Sequence, residues 1–386
     1  MQIAITDTVL STWIVIAALM AVLLFTLRKS PRTDLFSVPV TQELKGLGML
    51  TIVFAHISYM LVTDSTFLYP LSIAAGVGVD LFLLMSGYGL TIGMLKKPMP
   101  ALSFYKRRLI KVFIPFWLVL LLLLVADAVV HGLTYPASYM LSSLAGWFPN
   151  ASAFEDINSP FWYITWMLMF YLLFPLLFMP KRPWLTAILL AVIANVLAVF
   201  NPFNMQTNWL HHLHTNAFSL GMVLAWLFIE SRERPNLLVA KLKSFRAGQA
   251  GASRFPYYLL LIGSLLLAGY MAIHNASNHW PKVADTLTLA GFDSGFFIGQ
   301  ATSLLTMAAL IIFFMFKKLD CLFLNIFGVY SYETYLLHWP LMSRYDLFYH
   351  HLPAWLATIA WLVAFMGIGW VLQKITHPIG AWIDRQ

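Results

Sequence analysis

The stretch ELKGLGMLTIVFAHISYM, residues 43–60, is long and apolar, with a lysine near its start and a histidine further along. Lys45 and His56 stand eleven residues apart. At about 100° per helical residue they lie about 20° apart on one face and roughly 16 Å apart along the axis. One face of an apolar helix therefore carries a cation at its end and an imidazole halfway down. That pattern asks for a membrane helix with chemistry on it.

The rest of the chain supplies the membrane. Of 386 residues, 60% are hydrophobic and only 10% are charged, where a soluble domain carries about 25% charged residues. Apolar windows of spanning length fall near 8–27, 44–62, 71–94, 110–130, 160–179, 183–200, 210–230, 256–274, 295–316, 321–341 and 353–373. The expected fold is an all-α polytopic membrane protein of about eleven transmembrane helices. Alternate connections hold 22 of the 24 Lys and Arg residues, and the others hold only Lys282 and Arg344. The positive-inside rule then sets the N-terminus outside and the C-terminus in the cytoplasm. The net charge of +8 is accordingly a topology signal, not a nucleic-acid surface. The first span lacks a basic leader and is followed by RKSPR, so it reads as a retained anchor. The single Cys321 excludes a disulfide framework or a thiolate metal cluster.

Ionisable residues inside spans are costly and become candidates for function. These are His56, Asp80, Asp127, Glu333 and His338. Asp127 lies near the end of its span and reads as solvated. The glycines around Asp80, in GVGVDLFLLMSGYGL, make that span poor as a straight helix and good for close backbone approach. SFYKRRLIK sets Arg107, Arg108 and Lys111 at a helix end. Their charge suits topology, and the i, i+3 spacing of Arg108 and Lys111 suits an anionic ligand. NWLHHLHTN offers His211, His212 and His214 with no acidic companion, and reads as an interfacial or sugar-facing surface rather than a metal site.

Five stretches in order resemble the membrane acyltransferase 3 family of integral-membrane O-acyltransferases. Lys45 and His56 match its Arg/Lys, ten residues, His motif. GVDLFLLMSGYGL matches its second motif, with Ser86 and Tyr88 at the Ser-Gly-aromatic position. Arg107, Arg108 and Lys111 match a basic motif before a span. PFWYITWMLMFYLLFP resembles a Trp-aromatic stretch, here with Trp162, Tyr171 and Pro175. SYETYLLHWP resembles a late motif, here with Tyr332, Tyr335 and His338. Two departures stand out. Met167 occupies a position where the family usually has Glu, and Glu333 stands where members more often have an uncharged residue.

The resemblance divides the chain into an extra anchor and basic linker at 1–40, a membrane acyltransferase domain at 41–373 and a cytoplasmic tail at 374–386. It implies acyl-CoA, in particular acetyl-CoA, as donor substrate, with no tightly bound cofactor and no metal. Lys45, Arg107, Arg108 and Lys111 would hold its phosphates. His56 would act on the acceptor, with Glu333 or Asp80 holding its tautomer. Ser86, Tyr88, Trp162, Tyr171, Tyr332 and His338 would line the acceptor pocket. The implied acceptor is a saccharide hydroxyl, the implied location a bacterial inner membrane. Membrane lipid and a separate extracytoplasmic protein are further expected partners. A sugar exporter with a proton relay and a non-catalytic family member are the competing readings.

Overall fold

The computed structural model describes residues 2–64, 66–229, 236–248, 255–276 and 294–385. Lys282 lies outside the described residues. The helices are α1 (Thr8–Phe25), α2 (Val38–His56), α3 (Ala75–Lys96), α4 (Ala101–Arg108), α5 (Ile114–His131), α6 (Ala137–Leu144), α7 (Trp162–Leu177) and α8 (Pro183–Phe200). There follow α9 (Asn208–Leu213), α10 (Ala217–Phe228), α11 (Leu237–Ala247), α12 (Phe255–Ala276), α13 (Ser294–Phe316), α14 (Leu322–Val329), α15 (Ser331–Ser343) and α16 (Ala354–Arg385).

The protein is an all-α polytopic bundle, and among the described residues nine helices are long and apolar enough to cross a membrane. Two of the eleven apolar windows differ. The window at 210–230 holds the short α9 and the twelve-residue α10. The window at 321–341 breaks at Tyr330 into α14 and α15. Hydropathy registers apolar length, and it does not register such breaks. The stretch read as a tail is helical, as α16 runs without interruption to Arg385.

Glycines set the distances between the central helices. A Cβ on Gly328 would lie 1.8 Å from the Gln42 carbonyl oxygen, and one on Gly46 would lie 2.1 Å from that of Leu324. The α2 and α14 backbones are thus in direct contact, as small residues allow in membrane bundles. Gly87 and Gly221 do the same for α3 and α10. The expectation of a poor helix at the α3 glycines does not hold: α3 is continuous over 22 residues, and Gly87 serves close approach.

Charged clasps fix the ends. Strand β1 (Leu27–Lys29) pairs antiparallel with β2 (Leu319–Cys321), and the Arg32 guanidinium donates to the Phe314 and Lys317 carbonyls at 2.7 and 2.8 Å. Glu43, fully buried at the foot of α2, holds the Lys317 ammonium at 2.7 Å and accepts from the Cys321 N–H. At the other end Asp127 is buried, not solvated. Its oxygens accept from Arg344 Nη1 at 2.5 Å, Tyr135 at 2.5 Å and Tyr345 at 2.6 Å. Burial, with the carboxylate beside it, pushes the Tyr135 phenol up to about 12, so it remains a donor. Tyr135 follows in the loop after α5, but Arg344 and Tyr345 come from the segment after α15, over two hundred residues on, and no local pattern displays them.

Candidate active site

One cavity of about 1130 Å³ takes in most of the polar side chains singled out in the sequence. It exceeds the roughly 300–1,000 Å³ of ordinary small-molecule sites. Gln42, Lys45, Ile52, Ala55 and His56 of α2, with Tyr59 and Met60 in the turn that continues it, form one wall. From Gln42 to Met60 that wall is roughly 27 Å long at 1.5 Å per residue, close to the thickness of a bilayer core. Exposed residues mark both ends: Arg107 and Lys111 at one, Tyr59 and Trp209 at the other.

The basic end is assembled by three helices. Gly328 seats α14 against Gln42, and Tyr332, one turn on, donates its hydroxyl to the Val112 carbonyl at 2.8 Å. That bond brings the segment carrying Arg107, Arg108 and Lys111 beside Lys45, and all four border the cavity. The helix changes to π geometry at Leu109–Phe113, so the α-helical i, i+3 argument does not carry across this step. The cavity shape does that work instead. The Arg108 guanidinium lies over the Phe104 and Tyr171 rings, 5.7 and 5.9 Å from their centroids. A second π turn, Ile57–Leu61, begins directly after His56. Such turns recur at functional sites.

His56 does not meet the carboxylate expected for it. Its Nδ1 lies 2.7 Å from Nε2 of His338, and the two rings are parallel within 8° with centroids 4.9 Å apart. That separation is what two imidazoles joined edge to edge require, so they are in-line partners and not a stacked pair. His338 is fully buried, and its Nδ1 faces the Tyr335 and Thr334 carbonyls at 2.9 and 3.2 Å. Carbonyls only accept, so His338 carries its proton on Nδ1 and its Nε2 is bare. His56 must then donate from Nδ1, leaving its Nε2 lone pair for the cavity.

The two carboxylates are elsewhere. Glu333 is in the cavity wall, but its Oε2 accepts from Gln373 Nε2 at 3.1 Å. Asp80 is fully buried and outside the lining; it holds His214 Nδ1 at 2.7 Å and accepts from Ser303 Oγ at 2.5 Å. Both are therefore committed to other partners, and His338 fills the place expected of them. His214 does have an acidic companion after all, 134 residues away in sequence. No local pattern could have shown it.

Of the expected acceptor residues, Ser86, Trp162, Tyr171 and Tyr332 border the cavity. Ser86 and Tyr171 face each other at 3.4 Å between hydroxyls. Tyr88 does not line it; the ring packs on Phe36 at 4.5 Å. His338 lies behind His56. Met167 borders the cavity, so the missing glutamate is missing from its wall. Residues not foreseen there include Tyr163, Trp209, Gln373 and His377. Among the described residues no group of three or more His, Cys, Asp or Glu side chains could hold a metal ion.

Helix α15 is pinned beside the site by the segment before α7. Pro340 cannot donate to the Leu336 carbonyl, and Asn158 Nδ2 donates to it instead at 2.8 Å. Tyr335 donates to the Pro160 carbonyl at 2.6 Å and Trp339 Nε1 to that of Ala153 at 2.7 Å. The His338 end of the pair is thereby immobilised.

A helical bundle of this hydropathy, with histidines and cations gathered on one cavity, is an integral membrane protein with an internal site. The model of an acyltransferase domain, acyltransferase 3, matches residues 44–374, and the chain belongs to that family. It is a membrane acyltransferase. No curated protein and no solved structure matches the chain.

Proposed function

We propose that the protein moves an acyl group, in particular acetyl, from cytoplasmic acyl-CoA to a hydroxyl of an extracytoplasmic or lipid-linked saccharide, in a bacterial inner membrane. The observation that carries this reading is the continuity of one cavity from Lys45, Arg107, Arg108 and Lys111 to His56 and on to Trp162. The cations bind the donor's phosphates by charge-assisted hydrogen bonds. The pantetheine arm then lies along the α2 face and brings the thioester to His56. The acceptor enters from the aromatic end, so neither substrate crosses the membrane.

His56 Nε2 takes the proton of the acceptor hydroxyl as its oxygen attacks the thioester carbonyl carbon. The C–S bond breaks, and the departing thiolate takes that proton back from His56. His338 is a positioning residue that keeps the His56 lone pair turned to the cavity. No step needs the Met167 position to carry a carboxylate.

The test is acetyl-CoA binding by the purified full-length protein, beside a Lys45→Ala, Arg108→Ala double variant. Binding that the double variant loses supports the donor site. A folded wild type that binds no acetyl-CoA overturns the reading and favours an exporter, for which a cavity of membrane length would be a route.

A further inference from the structure

The cavity borders a second imidazole, and it is built differently from the first. His56 is backed by a neutral histidine. His214 is backed by Asp80, a carboxylate with no exposed surface and with both oxygens engaged, one by His214 Nδ1 at 2.7 Å and one by Ser303 Oγ at 2.5 Å. A carboxylate only accepts, so the His214 proton sits on Nδ1, and in the neutral ring Nε2 keeps a lone pair.

The ring is fixed from several sides. The Trp162 ring lies parallel to it within 19°, centroids 5.9 Å apart. Its own backbone carbonyl accepts from Trp166 Nε1 at 3.4 Å. Gly76 lies against its edge: a Cβ there would stand 3.7 Å from His214 Cε1, an ordinary contact. His214, Trp162, Gly76 and Trp209 all border the cavity. A buried carboxylate is a costly way to join helices. What this one achieves is a single tautomer and a single orientation of an imidazole on the wall of the site.

The geometry points to His214 as the acceptor-binding residue: its Nε2 accepts a hydrogen bond from an acceptor hydroxyl and orients that group, with the Trp162 indole beside it. This rests on the acyltransferase reading above. Asp80 and Ser303 act through His214 and are positioning residues. A lone pair beside an indole, with the cavity's Lys and Arg side chains gathered at the opposite end, suits an uncharged hydroxylated group and not an anion.

The experiment uses full-length protein and two readouts. Acetyl-CoA binding is measured by calorimetry, and transfer is measured as radiolabel moved from acetyl-CoA into sonicated membrane fragments of the native cells, which carry the natural acceptor. His214→Phe, which keeps a flat ring but offers no acceptor atom, is expected to lower transfer roughly tenfold to a hundredfold, the range of one hydrogen bond lost in a buried site, with the acetyl-CoA Kd within threefold of wild type. Ring-15N spectra of labelled protein are expected to place the His214 proton on Nδ1, and Asp80→Asn to change that signature together with the pH profile of transfer. Ser303→Ala, a milder change that leaves the Asp80–His214 bond in place, is expected to lower transfer by only a few fold. Transfer by His214→Phe within threefold of wild type overturns the assignment, as does a proton found on Nε2. Parallel loss of donor binding and transfer in His214→Phe would make the residue structural and also overturn it. Failure of the wild type to bind acetyl-CoA would instead sink the donor reading.

Discussion

His56 and His338 are joined Nδ1 to Nε2 at 2.7 Å with their rings parallel within 8°. The relay ends on backbone carbonyls of α15, so the whole chain of protons is fixed by atoms that cannot donate. A base oriented this way needs no carboxylate behind it.

The first prediction separates the two rings. His56→Ala should abolish transfer while acetyl-CoA binding persists. His338→Leu should lower kcat about a hundredfold, within the range for general-base catalysis, because nothing then holds the His56 tautomer. His338→Gln, whose side-chain oxygen can accept from His56 Nδ1, should recover much of that loss. Steady-state kinetics with fixed donor would read this directly, and equal defects in the Leu and Gln variants would remove the positioning role.

Lys45 and Arg108 should act on the donor alone. Each Ala substitution should weaken acetyl-CoA binding by roughly tenfold, the size of a hydrogen bond to a charged group, with less effect on kcat at saturating donor. Raised salt should weaken the contribution of Arg107 and Lys111, which are exposed, more than that of Lys45 and Arg108, which are half-buried, because exposed charges are the better screened. Calorimetry at two ionic strengths checks both statements.

Glu333→Gln should leave transfer within about threefold of wild type. Its carboxylate is engaged by Gln373 and not by His56, so an amide of the same shape can keep the contact as a neutral hydrogen bond. A loss of a hundredfold in the membrane assay would restore the carboxylate to the chemistry.

Glu333 and His338 mark the boundary between what local sequence holds and what only the fold supplies. The Lys45–His56 face was legible because both residues are on one helix, and eleven residues at helical spacing fix their relation. The spans were legible because hydropathy is a local property. The packing of α2 on α14 depends on Gly46 meeting Gly328, and a one-dimensional pattern holds neither that contact nor the helix break at Tyr330. The partners of Asp127, Asp80 and Glu43 are Arg344, His214 and Lys317, each more than a hundred residues distant. A buried charge announces only that it needs a partner. Two of these three lie at span ends, where local sequence is equally compatible with solvation, although Asp127 is buried.

The glycine contacts give the last prediction, and it concerns stability. Gly328→Ala places a Cβ within 1.8 Å of the Gln42 carbonyl oxygen, a backbone atom that cannot turn aside. Forcing α2 and α14 apart should cost about 1–3 kcal/mol, the usual range for overpacking, and lower the Tm of the detergent-solubilised protein by several degrees. Because Lys45 lies one turn from this contact, donor binding should weaken in the same variant. Gly89→Ala is the control, since nothing lies within 4 Å of its added Cβ, and alanine favours a helix over glycine by about 1 kcal/mol. Its Tm should equal or exceed that of wild type. A thermal-shift series on the two variants decides the matter: if Gly328→Ala melts with Gly89→Ala, the helices are not held in backbone contact at this point.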